Sequence, residues 1–218
     1  MSQLTFKFPF KTNYFEKDFY VSSSNFSAYK LIESWPNWPS KNINIFGPKG
    51  CGKTHLANIL NKKIKSFLIK ANEVDNVDIN IFKEKDCLII DNYENNISEV
   101  NLYSIINEAN QLNQHIVINS LQPVKKMNIN LKDLKSRINS FIELGIDLPT
   151  DDLIRVILTK CFSDKQIEVN VKILEYILKN IERSYEKIFK FIEDVDVASL
   201  SAGKSISINL IKNILKNE

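Results

Sequence analysis

Gly47-Pro48-Lys49-Gly50-Cys51-Gly52-Lys53-Thr54 fills every fixed position of the phosphate-binding loop pattern G-x-x-x-x-G-K-[ST]. An apolar run (Ile43, Ile45, Phe46) precedes it and suits a buried strand, and His55–Leu60 follows and suits a helix. That strand–loop–helix setting separates a working cradle from a Gly-rich turn. Gly47, Gly50 and Gly52 let the backbone curl so that its N–H groups face a phosphate. The helix start adds partial positive charge. Lys53 reaches the β- and γ-phosphates and the Thr54 hydroxyl ligates Mg²⁺, while Pro48, Lys49 and Cys51 complete the hollow. The expected cofactor is ADP or ATP with Mg²⁺.

Outward from this loop, short apolar runs alternate with helical patterns. Ser66–Lys70, Asp86–Asp91, His115–Asn119 and Phe141–Leu148 read as strands. Ser98–Leu112 spaces Val100, Leu102, Ile105, Ile106, Ala109 and Leu112 as a helix does. Strands alternating with helices predict an α/β fold, a parallel five-stranded sheet covered on both faces. Pro149 ends the pattern, and Thr150 or Asp151 can cap the next helix. Beyond it Asp152–Cys161, Val171–Asn180, Ser184–Leu200 and Asn209–Lys216 read as helices, with Val169 and 206–208 extended. The expected organisation is an arm over 1–17, a nucleotide-binding α/β domain over 18–149 and a small helical lid domain over 150–218.

With 218 residues and a net charge of only +3, the chain has room for a real core and lacks the strong basic field of many nucleic-acid binders. Three cysteines (Cys51, Cys87, Cys161) fit reduced thiols better than a disulfide framework. Neither a signal peptide nor a run of membrane-spanning length is read in the sequence. A cytoplasmic protein with no membrane partner is expected.

Cys87-Leu88-Ile89-Ile90-Asp91 is an apolar strand ending in a carboxylate. At the carboxyl end of a parallel strand, where ligands gather, Asp91 is placed to hold Mg²⁺ through water. The next residue is Asn92, where a hydrolysing ATPase of this kind carries a second acid, and an amide cannot accept the proton of the attacking water. Glu94 lies nearby but off the strand. Nucleotide binding without efficient hydrolysis is the expectation.

These residues together resemble the AAA+ module of the DnaA family, and within it the short Hda branch. The likeness runs over nearly the whole chain. Asp18–Asn25 is similar to the family's "F-x-V-x-x-x-N" box, which implies that Phe19, Val21 and Asn25 lie at the adenine. Gly47–Thr54 and Cys87–Asp91 match its Walker motifs. Leu131–Arg137 resembles "L-x-D-L-x-S-R", whose last residue is an arginine finger acting on a neighbour's nucleotide. From the residues alone Arg137 reads as a surface cation paired with Asp133 at i−4; the resemblance implies the finger. Asn119 occupies the sensor 1 position, although Leu121 stands where DnaA has an acid. Glu186 falls where a sensor 2 arginine is usual, with Arg183 one turn earlier as the candidate substitute. The segment from Ala198 to Leu215 resembles the end of the Hda lid.

Gln3-Leu4-Thr5-Phe6-Lys7-Phe8 reads by alternation as an edge strand. It also resembles the "Q-L-x-L-x-F" peptide by which bacterial proteins dock on the DNA polymerase sliding clamp. In that reading Gln3 hydrogen-bonds and Leu4, Phe6 and Phe8 fill an apolar groove. The chain stops where the lid of the resemblance stops, so no sequence-specific DNA binding of its own is expected. The resemblance implies an adaptor that docks on the clamp and presents Arg137 to ATP held by the initiator DnaA, restraining initiation of DNA replication. It leaves self-association open. The alternative is a helicase loader of the DnaC type, an autonomous ATPase for which Asn92 is the wrong residue; a metabolite kinase fits the helical lid less well.

Overall fold

The computed structural model describes residues 16–202 and 206–216. The Gln3–Phe8 peptide lies outside them. The chain divides after Asp147 into two compact units.

The first unit is built on five parallel strands, β1 (Asn42–Phe46), β2 (Ser66–Lys70), β3 (Cys87–Tyr93), β4 (His115–Ser120) and β5 (Ile142–Gly145), in the order β2-β3-β4-β1-β5. Its helices are α1 (Phe26–Glu33), α2 (Lys53–Lys63), α3 (Glu99–Gln111) and α4 (Lys132–Asn139). Strand residues alternate between faces. Leu88 and Ile90 of β3 and Ile116 and Ile118 of β4 join a core with Leu102, Ile105 and Ile106 of α3 and Leu134 and Ile138 of α4. The alternate residues Ile89 and Val117 are buried on the opposite face, and α2 packs on β2, β3 and β4 and on α1. Because β1 lies between β4 and β5 while the chain next crosses to distant β2, the crevice beyond the carboxyl end of β1 is a topological switch point.

The second unit is helical: α5 (Asp151–Asp164), α6 (Val171–Asn180), α7 (Tyr185–Ala202) and α8 (Ile208–Lys216). Thr150 caps α5 by accepting from the Leu153 N–H at 3.3 Å, and Asn170 caps α6 by accepting from Ile173 at 2.9 Å. Ile154, Leu158 and Phe162 meet Ile173, Ile177, Ile188 and Phe191 in one apolar core.

Two expectations shift. The fifth strand is shorter than 141–148, although the Ile146 N–H still reaches the Phe46 carbonyl at 2.8 Å. The 206–208 segment is not a strand: the Ser207 hydroxyl and carbonyl accept from Leu210 and Ile211, and α8 starts at Ile208. No strand occurs among the described residues of this unit.

Candidate functional site

The site grows from the loop joining β1 to α2. Gly52 caps α2 with φ 99°, in the left-handed region, and a Cβ there would sit 2.9 Å from the Phe19 ring. A Cβ on Gly47 would lie 2.7 Å from the Ile146 carbonyl oxygen. No side chain caps α2, so the amides at its start, Lys53 and Thr54, can face an external anion.

Lys53 is buried, and its ammonium donates to the carbonyls of Gly47 (2.8 Å) and Pro48 (3.0 Å), with Cys51 Sγ 3.7 Å away. Neutral carbonyls solvate this charge without neutralising it. Burial pushes the Cys51 thiol up, against the pull of the Lys53 ammonium, and keeps it protonated at neutral pH.

Asp91 is the hub. Its Oδ2 accepts from Thr54 Oγ1 at 2.7 Å and its Oδ1 from Asn119 Nδ2 at 2.9 Å. Asn119 Nδ2 also donates to the Lys53 carbonyl at 3.1 Å, tying β3, β4 and the start of α2 together. Asn119 Oδ1 is buried without a partner, and a buried acceptor left open marks a place for a donor such as a metal-bound water. Donor set and hollow fit a nucleotide phosphate with Mg²⁺: amides and an ammonium for the anion, and the hard oxygens of Thr54 and Asp91 for the cation. Among the described residues no group of three or more His, Cys, Asp or Glu could hold a metal by itself.

Past Asp91 the strand breaks register before Tyr93 pairs with Ser120, and Asn92 takes φ 58° and is exposed. Glu94 is exposed as well. Neither supplies a carboxylate on the strand beside Asp91.

Phe19 stacks on Tyr29 (5.7 Å) and meets His55 edge-on (5.3 Å), so its ring does lie against the phosphate loop. Val21 is half-buried beside it in sequence. The Asn25 amide is committed elsewhere, accepting from the Ser22 N–H (2.9 Å) and donating to the Tyr20 carbonyl (2.9 Å). It shapes the box rather than offering a free polar group. Arg137, in the last turn of α4, is exposed and makes no ion pair among the described residues, so the Asp133 pairing does not form. The Arg183 guanidinium forks onto Asp151, Nε to Oδ1 at 2.9 Å and Nη2 to Oδ2 at 3.2 Å. A role at a phosphate would require breaking that fork.

Sequence reasoning missed Asn44. It is fully buried in β1, donates to the Ile118 carbonyl (2.8 Å) and Ser120 Oγ (2.9 Å), and accepts from the Val124 N–H (3.0 Å). An asparagine between Ile43 and Ile45 in β1 was the available signal.

A phosphate-loop sequence after β1, a carboxylate two residues from the end of β3, an amide on β4 and the order β2-β3-β4-β1-β5 define an AAA+ fold. Residues 151–215 match the family described as Hda, lid domain. DnaA of Buchnera aphidicola subsp. Baizongia pistaciae is 26% identical over 243 residues, covering 99% of this chain and 53% of the relative. Domain III of Thermotoga maritima DnaA superposes with a TM-score of 0.75 at 19% identity, over 96% of this chain and 98% of that one. AMPPCP-bound DnaA from Aquifex aeolicus does so at 0.65 and 20%, over 86% and 66%. The chain spans about half the length of the curated relatives it matches. The chain is thus similar to DnaA over nearly its whole length and to the Hda lid over residues 151–215, and it has the fold of DnaA domain III. None of its described helices is long and apolar enough to cross a membrane.

Proposed function

We propose that this chain is a DnaA-related regulator of replication initiation that binds an adenine nucleotide and acts on the ATP of a partner AAA+ protein. The observation that carries the reading is the interlocked set Lys53, Thr54, Asp91 and Asn119, followed by an exposed Asn92 in place of a second acid. Binding groups are assembled, and the group that would take a proton from water is an amide.

In this mechanism the amides at the start of α2 and the Lys53 ammonium would hold the phosphates, a charged acceptor being stronger for the ammonium than the Gly47 and Pro48 carbonyls it now bonds. Thr54 and Asp91 would hold Mg²⁺, which when bound would supply charge neutralisation at the phosphate oxygens. Asn119 keeps Asp91 oriented. Arg137, exposed and without an ion pair among the described residues, is free to reach a γ-phosphate bound by a neighbouring initiator, where a planar, permanently charged guanidinium stabilises the transition state in trans. Gln3, Leu4, Phe6 and Phe8 would dock the chain on the sliding clamp. AMPPCP in the Aquifex aeolicus relative supports adenine nucleotide as the ligand class.

The test is an initiator ATPase assay with clamp loaded on DNA. Wild type should stimulate hydrolysis. Arg137→Ala should lose the stimulation while keeping nucleotide, and Gln3→Ala/Leu4→Ala/Phe8→Ala should lose both stimulation and retention on immobilised clamp. Brisk hydrolysis by wild type alone would favour the helicase-loader reading instead.

A further inference from the structure

Strand β3 continues two residues past Asp91, roughly 7 Å, and β4 one residue past Asn119; beyond their ends lies a second concavity that the nucleotide reading does not use. It encloses about 440 Å³. Its apolar lining is Tyr93, Leu121 and Met127; Glu94, Asn95, Gln122 and Asn128 make the polar rim. The walls are stitched: Tyr93 Oη and Asn95 Oδ1 lie 3.1 Å apart, and Asn95 Nδ2 donates to the Asn128 carbonyl at 3.3 Å. Leu121 is 46% exposed, an apolar side chain presented at the mouth.

The wall between Gln122 and Met127 is a 3-10 turn, Val124–Lys126, carrying Lys125 and Lys126; α4 adds Lys132 and Lys135. All four lysines are on the solvent side, and none has an ion-pair partner among the described residues. Elsewhere Lys63, Lys83, Arg155, Lys165 and Arg183 are paired. With Arg137, positions 122–140 hold five cations against one acid, Asp133, an excess larger than the whole chain's +3. The rest of the chain is therefore not basic in sum; Glu143, which accepts from the Lys125 N–H, and Glu99, which accepts from the Asn130 and Leu131 N–H groups, offset part of this excess but leave the stretch positive.

We propose that this concavity is a docking site for an acidic protein segment that inserts one apolar anchor beside Leu121 and Met127 and sets its carboxylates against Lys125, Lys126, Lys132 and Lys135. Such anchor-plus-charge recognition combines a buried hot spot with electrostatic steering. Single-stranded nucleic acid is the weaker fit, because its unstacked bases seek exposed aromatic faces and the one ring here, Tyr93, is 1% exposed. Glu94 on the rim repels an acid placed over it, so the anchor enters from the Gln122–Lys126 side.

The test selects a phage-displayed random-peptide library on the full-length chain. Enriched peptides should share an apolar residue flanked by Asp or Glu. Their affinity should fall at least about tenfold in Leu121→Asp and in Lys125→Glu/Lys126→Glu, both at exposed positions and both checked for native circular dichroism. Lys53→Ala should leave peptide affinity intact, and the two surface variants should leave nucleotide affinity intact, so this site and the nucleotide site fail separately. Absence of such a consensus, or full affinity in both surface variants, would overturn the proposal. Displacement of the peptide by a mixed-sequence single-stranded oligonucleotide, with equal loss of that oligonucleotide in the lysine variant, would overturn it in favour of nucleic acid.

Discussion

Asn44→Leu isolates the contribution of the buried amide in β1. Leucine keeps the volume but removes three hydrogen bonds, to the Ile118 carbonyl, to Ser120 Oγ and from the Val124 N–H. At about 1 kcal/mol net each these amount to about 3 kcal/mol, and stranding the Val124 amide, at 0% exposure, costs about 1–3 kcal/mol more. Burying leucine carbon returns about 1.5–3 kcal/mol, leaving a net loss of about 3 kcal/mol. Both tryptophans, Trp35 and Trp38, lie in the first unit, so urea unfolding followed by tryptophan fluorescence reads that unit directly. With a slope of about 2 kcal/mol/M, the midpoint should fall by roughly 1.5 M urea. Ser120→Ala in the Asn44→Leu background should cost less than in wild type, because the Asn44 Nδ2 to Ser120 Oγ bond is already gone. A midpoint unchanged within error, or strict additivity, would refute the assignment of Asn44 as a latch between β1, β4 and the Val124 turn.

The same geometry sets other outcomes. Thr54→Val should erase the enhancement of nucleotide affinity by Mg²⁺, a loss of at least about tenfold or ~1.4 kcal/mol, measured by calorimetry with and without the cation. Asp151→Ala releases the exposed Arg183 fork and should change stability by no more than about 1 kcal/mol; if Arg183 serves as the lid cation, ATP affinity rises relative to ADP, and an unchanged ratio would dismiss that role. His115 packs edge-on against both Trp35 (4.7 Å) and Trp38 (5.3 Å), and burial holds its imidazole below the usual 6.5. The fold favours the neutral ring, so its contribution to stability is full above about pH 6.5 and lost as pH falls through the lowered folded value. Urea midpoints taken across that range should decline toward acid in wild type and less so in His115→Phe.

The loop 47–54 was legible because three glycines, a lysine and a threonine at fixed offsets permit few other conformations, and α3, α6 and β2 because their apolar spacing is clean. Helix α8 beginning at Ile208 was not, since Ile206-Ser207-Ile208 alternates like a strand and only the Ser207 cap turns it. The motif at Asn25 does not disclose that its amide is spent on Tyr20 and Ser22, because those are backbone contacts of the folded turn. Asn44 reads as a flaw in an apolar run until its partners, more than seventy residues away in sequence, are seen. Arg183 looked available because Asp151, its partner, is thirty-two residues distant.

Calorimetry of the purified chain with ADP and with ATP in the presence of Mg²⁺ tests the central claim most directly. Saturable binding at one site, abolished in Lys53→Ala protein with an unchanged far-ultraviolet spectrum, is the expected result. No heat of binding from either nucleotide to folded wild type would contradict it.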